Sequence, residues 1–130
     1  MTNTLTTPDL SREVTASFVA ALGRRDFAGL AALVSPDAPI RALTPMGLAT
    51  GTGPAFLEER FSTWFGGDDA FAVEDTTVAT AGQKVHLCWR IAMTAPEGAV
   101  RKAEQHTFVR VSDRIDSLDL VCSGYWPVAS

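Results

Sequence analysis

The chain is poor in cysteine and lysine and has no long apolar run. Cys88 and Cys122 are the only cysteines among 130 residues; they match no metal-ligand spacing and are too few for a disulfide framework, so both are expected as reduced thiols. Lys84 and Lys102 are the only lysines, and eleven Lys plus Arg against fifteen Asp plus Glu leave a formal charge of −4. A surface that tracks phosphates needs clustered positive charge, so nucleic acid is not expected as a partner. No apolar stretch approaches the roughly 18 residues that span a bilayer. The first basic residue, Arg12, follows the polar stretch Met1 to Asp9, where a signal peptide needs charge and then an apolar core. The expectation is a cytoplasmic chain that starts at this N-terminus and has no membrane partner. What is present, 46% hydrophobic and 20% charged residues, suffices for one domain over 1–130, with 1–8 flexible, and excludes a disordered chain.

Hydrophobic spacing changes along the chain. Leu10, Val14, Phe18 and Leu22 recur every fourth residue, which places an apolar stripe on a helix from about Thr7 to Gly23. Asp26 can cap a short second helix that buries Phe27, Leu30, Leu33 and Val34 and is stopped by Ser35, Pro36 and Asp37. Residues 40–43 read as a short strand, and 45–53, with three glycines, as a loop. Pro54 then opens a third helix carrying Phe56, Leu57, Arg60, Phe61 and Trp64, closed by Gly66 and Gly67. From Phe71 the period becomes two, and residues 71–80, 84–95, 100–112 and 115–126 read as four antiparallel strands. Helices first and a meander afterwards describe an α+β domain: one curved antiparallel sheet around three N-terminal helices, its concave side making a pocket.

Parity divides each strand into two faces. Val85, Leu87, Trp89, Ile91 and Met93 make the better core face of their strand, leaving His86, Cys88 and Arg90 outside. On the next strand Gln105 and Thr107 go inward with Ala103, Val109 and Val111, because the other set carries Lys102, Glu104, His106 and Arg110. A three-residue hairpin loop at Glu97, Gly98 and Ala99 sets Trp89 opposite Thr107. A two-residue turn around Ser112 and Asp113 sets Leu118, Leu120 and Cys122 beside Thr107, Gln105 and Ala103, with Asp119 outside next to His106. A three-residue turn would bring Asp119 indoors, where an unpaired carboxylate is costly, so the shorter turn is expected. Cys88 and Cys122 then lie on opposite faces, which excludes a disulfide between them.

Gln105 and Thr107 are the polar residues of most interest: each needs a partner when buried, and a ligand or a backbone group can supply it. Phe18, Phe61, Trp64, Trp89 and Leu120 would complete a pocket for a small apolar or aromatic molecule, although the same spacing describes plain core. His106 beside Asp119 pairs a base with an orienting carboxylate, or is ordinary cross-strand charge pairing. The histidines lack a carboxylate cluster in sequence, so no metal and no cofactor are expected. No serine stands in a nucleophile elbow, and Gly51-Thr52-Gly53-Pro54 lacks the lysine and hydroxyl of a phosphate loop.

The element order, together with 18–33 and its Arg24-Arg25-Asp26-Phe27 turn, Pro36-Asp37, 51–61, Glu104-Gln105, Phe108-Val109-Arg110-Val111 and Asp113-Arg114-Ile115, closely resembles the nuclear transport factor 2-like superfamily in its SnoaL-like branch. The resemblance covers nearly the whole chain. It implies a cone-shaped, cystatin-like α+β roll with a deep pocket between sheet and helices. It also implies a homodimer through the outer sheet face, where His86, Cys88, Arg90, Phe108 and Val121 stand. Fold membership does not assign chemistry. By the resemblance, Thr107 and Leu120 occupy the places of the polyketide cyclases' His and Asp. Ala42, Phe18 and Thr107 occupy those of the ketosteroid isomerases' base Asp, Tyr and protonated Asp. Arg90 matches an arginine of the epoxide hydrolases, but Ala92 stands two positions on, where their motif needs an aspartate. No set is complete. The expected function is therefore binding of a small apolar or aromatic ligand with no assigned reaction. The alternatives are a cyclase or isomerase that polarises a carbonyl through Gln105 and Thr107, with His106 and Asp119 as further catalytic candidates, and a non-catalytic dimeric interaction module.

Overall fold

The computed structural model describes residues 7–128. Of the segment expected to be flexible, residues 1–6 lie outside the described residues, and Thr7 and Pro8 already belong to helix α1 (Thr7–Gly23). Of the four-residue stripe, Phe18 and Leu22 are fully buried and Val14 partly so, while the side chain of Leu10 lies outside the described residues. Arg25 turns the chain in the left-handed region, at φ 55°. Its Nη1 donates to the carbonyls of Phe65, Gly67 and Asp69 at 3.3, 3.4 and 3.0 Å, tying this corner to the end of the third helix. Asp26 caps α2 (Phe27–Ala32), accepting from Gly29 N at 2.9 Å. The helix ends before Val34, which is buried and forms a bridge to Ile115.

The strands are β1 (Pro39–Thr44), β2 (Gly47–Thr52), β3 (Ala70–Ala81), β4 (Lys84–Thr94), β5 (Val100–Val111), β6 (Ile115–Cys122) and β7 (Trp126–Pro127), with α3 (Gly53–Phe65) between β2 and β3. They form one sheet in the order β2-β1-β6-β5-β4-β3, and β7 pairs with β5. The sheet is mixed instead of wholly antiparallel, since β1 runs parallel to β6. Two further corrections concern extent. The loop expected over 45–53 is mostly the strand β2, joined to β1 through Pro45 and Met46. Its side chains remain largely exposed, Met46 at 96% and Leu48 at 62%, so it carries no alternating apolar signal. The last long strand stops at Cys122, and the chain rejoins the sheet as β7. Tyr125, donating to Trp64 O at 2.9 Å, pins this tail to α3.

Register differs from expectation while face does not. In the β4–β5 hairpin Trp89 stands opposite Gln105, and Leu87 opposite Thr107, two residues from the expected pairing. The reason is a longer loop, 95–99, closed by Ala95 N donating to Ala99 O at 2.9 Å. In the β5–β6 hairpin Val111 faces Ile115 across a three-residue turn. Taken alone that turn would bring Asp119 indoors. A bulge follows at once, Arg110 pairing with Ser117, so that Asp116 is the extra residue and parity is restored. Leu118 and Leu120 are buried and face Val109 and Thr107, whereas Asp119 is outside, next to Phe108 and not His106. The core lies between the concave face and the three helices. Among the described residues no helix is long and apolar enough to cross a membrane.

Candidate functional site

Pairing across the sheet arranges the concave face in rows. Trp89, Gln105 and Cys122 form one row; Leu87, Thr107, Leu120 and Ala42 the next; Val85, Val109, Leu118 and Ile40 the third. Gln105 and Thr107 are both fully buried. Trp89 Nε1 donates to Gln105 Oε1 at 2.9 Å. An indole nitrogen can only donate, so this bond fixes which end of the amide is oxygen and turns its two N–H groups the other way. Gln105 Nε2 and Thr107 Oγ1 have no hydrogen-bond partner among the described residues. Buried groups of this kind normally find one, so these two atoms are exceptions on an otherwise apolar face.

The aromatic residues expected to line a pocket are packed on one another. Phe18 lies 5.7 Å from Trp89 and 6.0 Å from Phe61, centroid to centroid, and Phe61 lies 5.5 Å from Trp64. Phe18, Phe61, Trp89 and Leu120 are buried and Trp64 is partly so. Open space occurs farther along the same face: a cavity of about 510 Å3 between Ser11, Arg12 and Thr15 of α1 and the tips of the β3–β4 and β5–β6 hairpins. Its wall includes Val78, Val85 and Val111, and its rim Lys84, Arg110 and Asp116. By the register, Thr107 lies one row inward of Val85 and Gln105 two. None of the seven expected contacts lines this cavity. Which hairpin tips meet α1 is a tertiary outcome with no sequence signal, although Thr15, interrupting the buried side of its helix and donating to Ser11 O at 2.7 Å, was a faint one.

The outer face corrects a second expectation. His106 and Asp119 do not form a pair. Asp119 accepts from Arg41 Nε at 2.6 Å and from Lys84 Nζ at 3.1 Å, and the Arg41 bond, aided by Lys84 and opposed by partial burial, holds its carboxyl below the usual range. His106 instead stands between His86, whose Nε2 lies 2.9 Å from its Nδ1, and Glu104, whose Oε2 lies 2.9 Å from its Nε2. A carboxylate two residues away in sequence was thus enough to reach it. Hydrogen bonds from His106 and then Arg90 lower the Glu104 pKa, while burial raises that of Cys88. Arg90 faces outward, 3.0 Å from Glu104 and 3.7 Å from Asp75. Cys88 and Cys122 lie on opposite faces, both as free thiols.

A sequence model of the SnoaL-like domain matches residues 15–116. No curated protein matches the chain. Among solved structures, a hypothetical protein with a ketosteroid isomerase-like fold from Catenulispora acidiphila, in complex with trimethylamine, is 21% identical with a TM-score of 0.69, over 91% of this chain and 88% of that one. An epoxide hydrolase of M. tuberculosis, described as LEH-like, is 18% identical with a TM-score of 0.66, over 90% and 84%. SalBIII, an epoxide hydrolase/cyclase-like enzyme of pyran ring formation in salinomycin, is 17% identical with a TM-score of 0.65, over 89% and 95%. At these identities the likeness is one of fold.

Proposed function

The chain belongs to the SnoaL-like domain family, and from that premise we propose that it binds a small, largely apolar or aromatic molecule between α1 and the concave face of its sheet, with no reaction assigned. The observation that carries this reading is the cavity of about 510 Å3 at that place, within the roughly 300–1,000 Å3 of small-molecule sites. Native mass spectrometry of freshly purified protein tests it, followed by a thermal-shift screen of aromatic and alicyclic compounds. A copurified mass or a saturable stabilisation that fails in a Val85→Trp variant, whose larger side chain fills the cavity, supports it. No bound mass and no stabilising compound would reject it. The free thiols fit the reducing cytoplasm as its compartment.

One observation favours a second reading, an enzyme that polarises a carbonyl. Trp89 holds Gln105 so that its amide hydrogens are oriented without a partner, and the Thr107 hydroxyl is equally unclaimed. A single such donor is worth roughly 3 kcal/mol to a developing oxyanion. At the places where the resemblance puts the acids and bases of known relatives stand Ala42, Leu120 and Thr107, side by side in one row, so the base would have to be water. Thr107→Val separates the readings. Removing an unpartnered buried hydroxyl should stabilise the ligand-free protein by about 1 kcal/mol, measured by urea unfolding. A loss of ligand affinity or turnover in the same variant would place the hydroxyl on the ligand, and destabilisation instead would show that the fold already uses it.

We also propose a homodimer through the outer face. Phe108, Leu43, Leu48 and Val121 border a shallow hollow there, and Leu43, Leu48 and Val121 are exposed. Phe108→Glu, which puts a charge on that surface, should shift the protein from dimer to monomer in light scattering at micromolar concentration; a variant still fully dimeric would exclude this face.

A further inference from the structure

Three unlike donor atoms converge on the outer face of the sheet, away from the cavity. Cys88 on β4 stands directly opposite His106 on β5, and Glu104 lies on the same side of β5, opposite Arg90. Cys88 Sγ is 3.6 Å from His106 Nε2, and Glu104 Oε2 is 2.9 Å from that same nitrogen. All three atoms lie within 4.8 Å of one another. We propose that Cys88, Glu104 and His106 form a site for one divalent late transition-metal ion, zinc foremost, with water as the fourth ligand.

The distances suit such an ion. With zinc–sulfur and zinc–nitrogen bonds of about 2.3 and 2.05 Å, a tetrahedral site has a sulfur–nitrogen edge of about 3.6 Å, the separation already present between Cys88 and His106. The nitrogen–oxygen edge has to open by about 0.5 Å, from hydrogen-bond length to about 3.4 Å, which a small rotation of the Glu104 side chain supplies. The surroundings that metal ligands require are also in place. His106 Nδ1 lies 2.9 Å from His86 Nε2, so His106 can donate its remaining proton there and present Nε2 to the ion. Arg90 Nη2 donates to Glu104 Oε1 at 3.0 Å, which leaves Oε2 for the metal. Stacking of His86 on Phe108, ring centroids 4.6 Å apart, fixes the imidazole that orients His106.

Charge balances as well. Binding releases the Cys88 thiol proton to solvent, and a divalent ion with one thiolate, one carboxylate and one neutral imidazole is a neutral unit that tolerates the adjacent Arg90 cation. The competing description is a metal-free network in which Arg90 and His106 pair with Glu104 and the Cys88 thiol hydrogen-bonds to His106 and Thr77; it keeps the same atoms together without an ion, and metal titration separates the two. All three ligands come from one chain on two paired strands, so the site needs neither a partner copy nor the proposed small-molecule ligand.

Chelator-treated full-length protein, titrated with zinc by calorimetry and with cobalt(II) by absorption, tests the proposal. The expected result is one ion per chain, with a thiolate-to-cobalt charge-transfer band that survives Cys122→Ser and vanishes in Cys88→Ser. Cys88→Ser and His106→Gln should each weaken zinc at least tenfold, and His86→Phe, which removes only the outer support, by roughly tenfold. Absence of zinc uptake, a cobalt band that persists in Cys88→Ser, or an affinity indifferent to Cys88→Ser and His106→Gln would overturn the site. Should Cys88→Ser fail to fold, the Cys122→Ser protein decides alone: Cys88 is then its single thiol, and a missing band overturns the proposal.

Discussion

Phe18→Ala should destabilise the protein by about 3–5 kcal/mol, a large part of the roughly 5–15 kcal/mol that holds a domain together. Phe18 is fully buried and joins three elements, packing from α1 onto Trp89 of β4 at a tilted 5.7 Å and meeting Phe61 of α3 edge to face at 6.0 Å. Truncation removes the transfer free energy of the ring and leaves a void that neither a strand nor two helices can close without shifting. Denaturant unfolding should show a lower midpoint at unchanged slope, because the surface exposed on unfolding stays nearly the same. Phe18→Leu, which keeps most of the volume, should lose less than half as much. A cost under about 1 kcal/mol for Phe18→Ala would mean that this ring borders open space and not packed core, and would move the binding site inward toward Gln105 and Thr107.

Gly53→Ala should cost about 1–3 kcal/mol although it adds only one methyl group. Gly53 starts α3 with φ +83°, and its amide donates to Ala38 O at 2.9 Å. A Cβ there would lie 2.6 Å from the carbonyl oxygen of Pro36, a backbone atom with no rotamer to yield. The left-handed conformation and the collision therefore add. Gly82→Ala serves as the control: φ is +64° but nothing lies within 4 Å of the added atom, so only the conformational cost remains. Thermal unfolding of the two variants should rank Gly53→Ala below Gly82→Ala. Equal losses would show that the Pro36 turn gives way, and with it the rigid joint that sets α3 against the β1–β2 hairpin.

Local pattern determined much of this protein. A stripe every fourth residue placed α1, Asp26 placed the start of α2, Pro54 that of α3, and alternation assigned both faces of β4 and β5, hence Gln105 and Thr107 inside and Cys88 and Cys122 apart. These features are local because each follows from the twist of a single element with one side in water. Leu120 faces inward and Asp119 outward as expected, but by another route: the turn is one residue longer, and the bulge at Asp116 cancels it. Burying two leucines instead of a carboxylate selects that solution whatever the turn does.

What only the tertiary structure decided lies between elements. β2 was invisible because an edge strand with both faces largely wet needs no apolar alternation. Register by two residues was invisible because it preserves parity, yet it moves Asp119 away from His106 and sets Trp89 on Gln105. The cavity depends on where α1 crosses two hairpin tips, and the meeting of Cys88 with Glu104 and His106, sixteen and eighteen residues on, depends on the register in which β4 pairs with β5. Periodicity specifies which way a side chain points along its own strand; which other side chain it meets is set by loop lengths and bulges, whose energy differences are small until the whole core is packed.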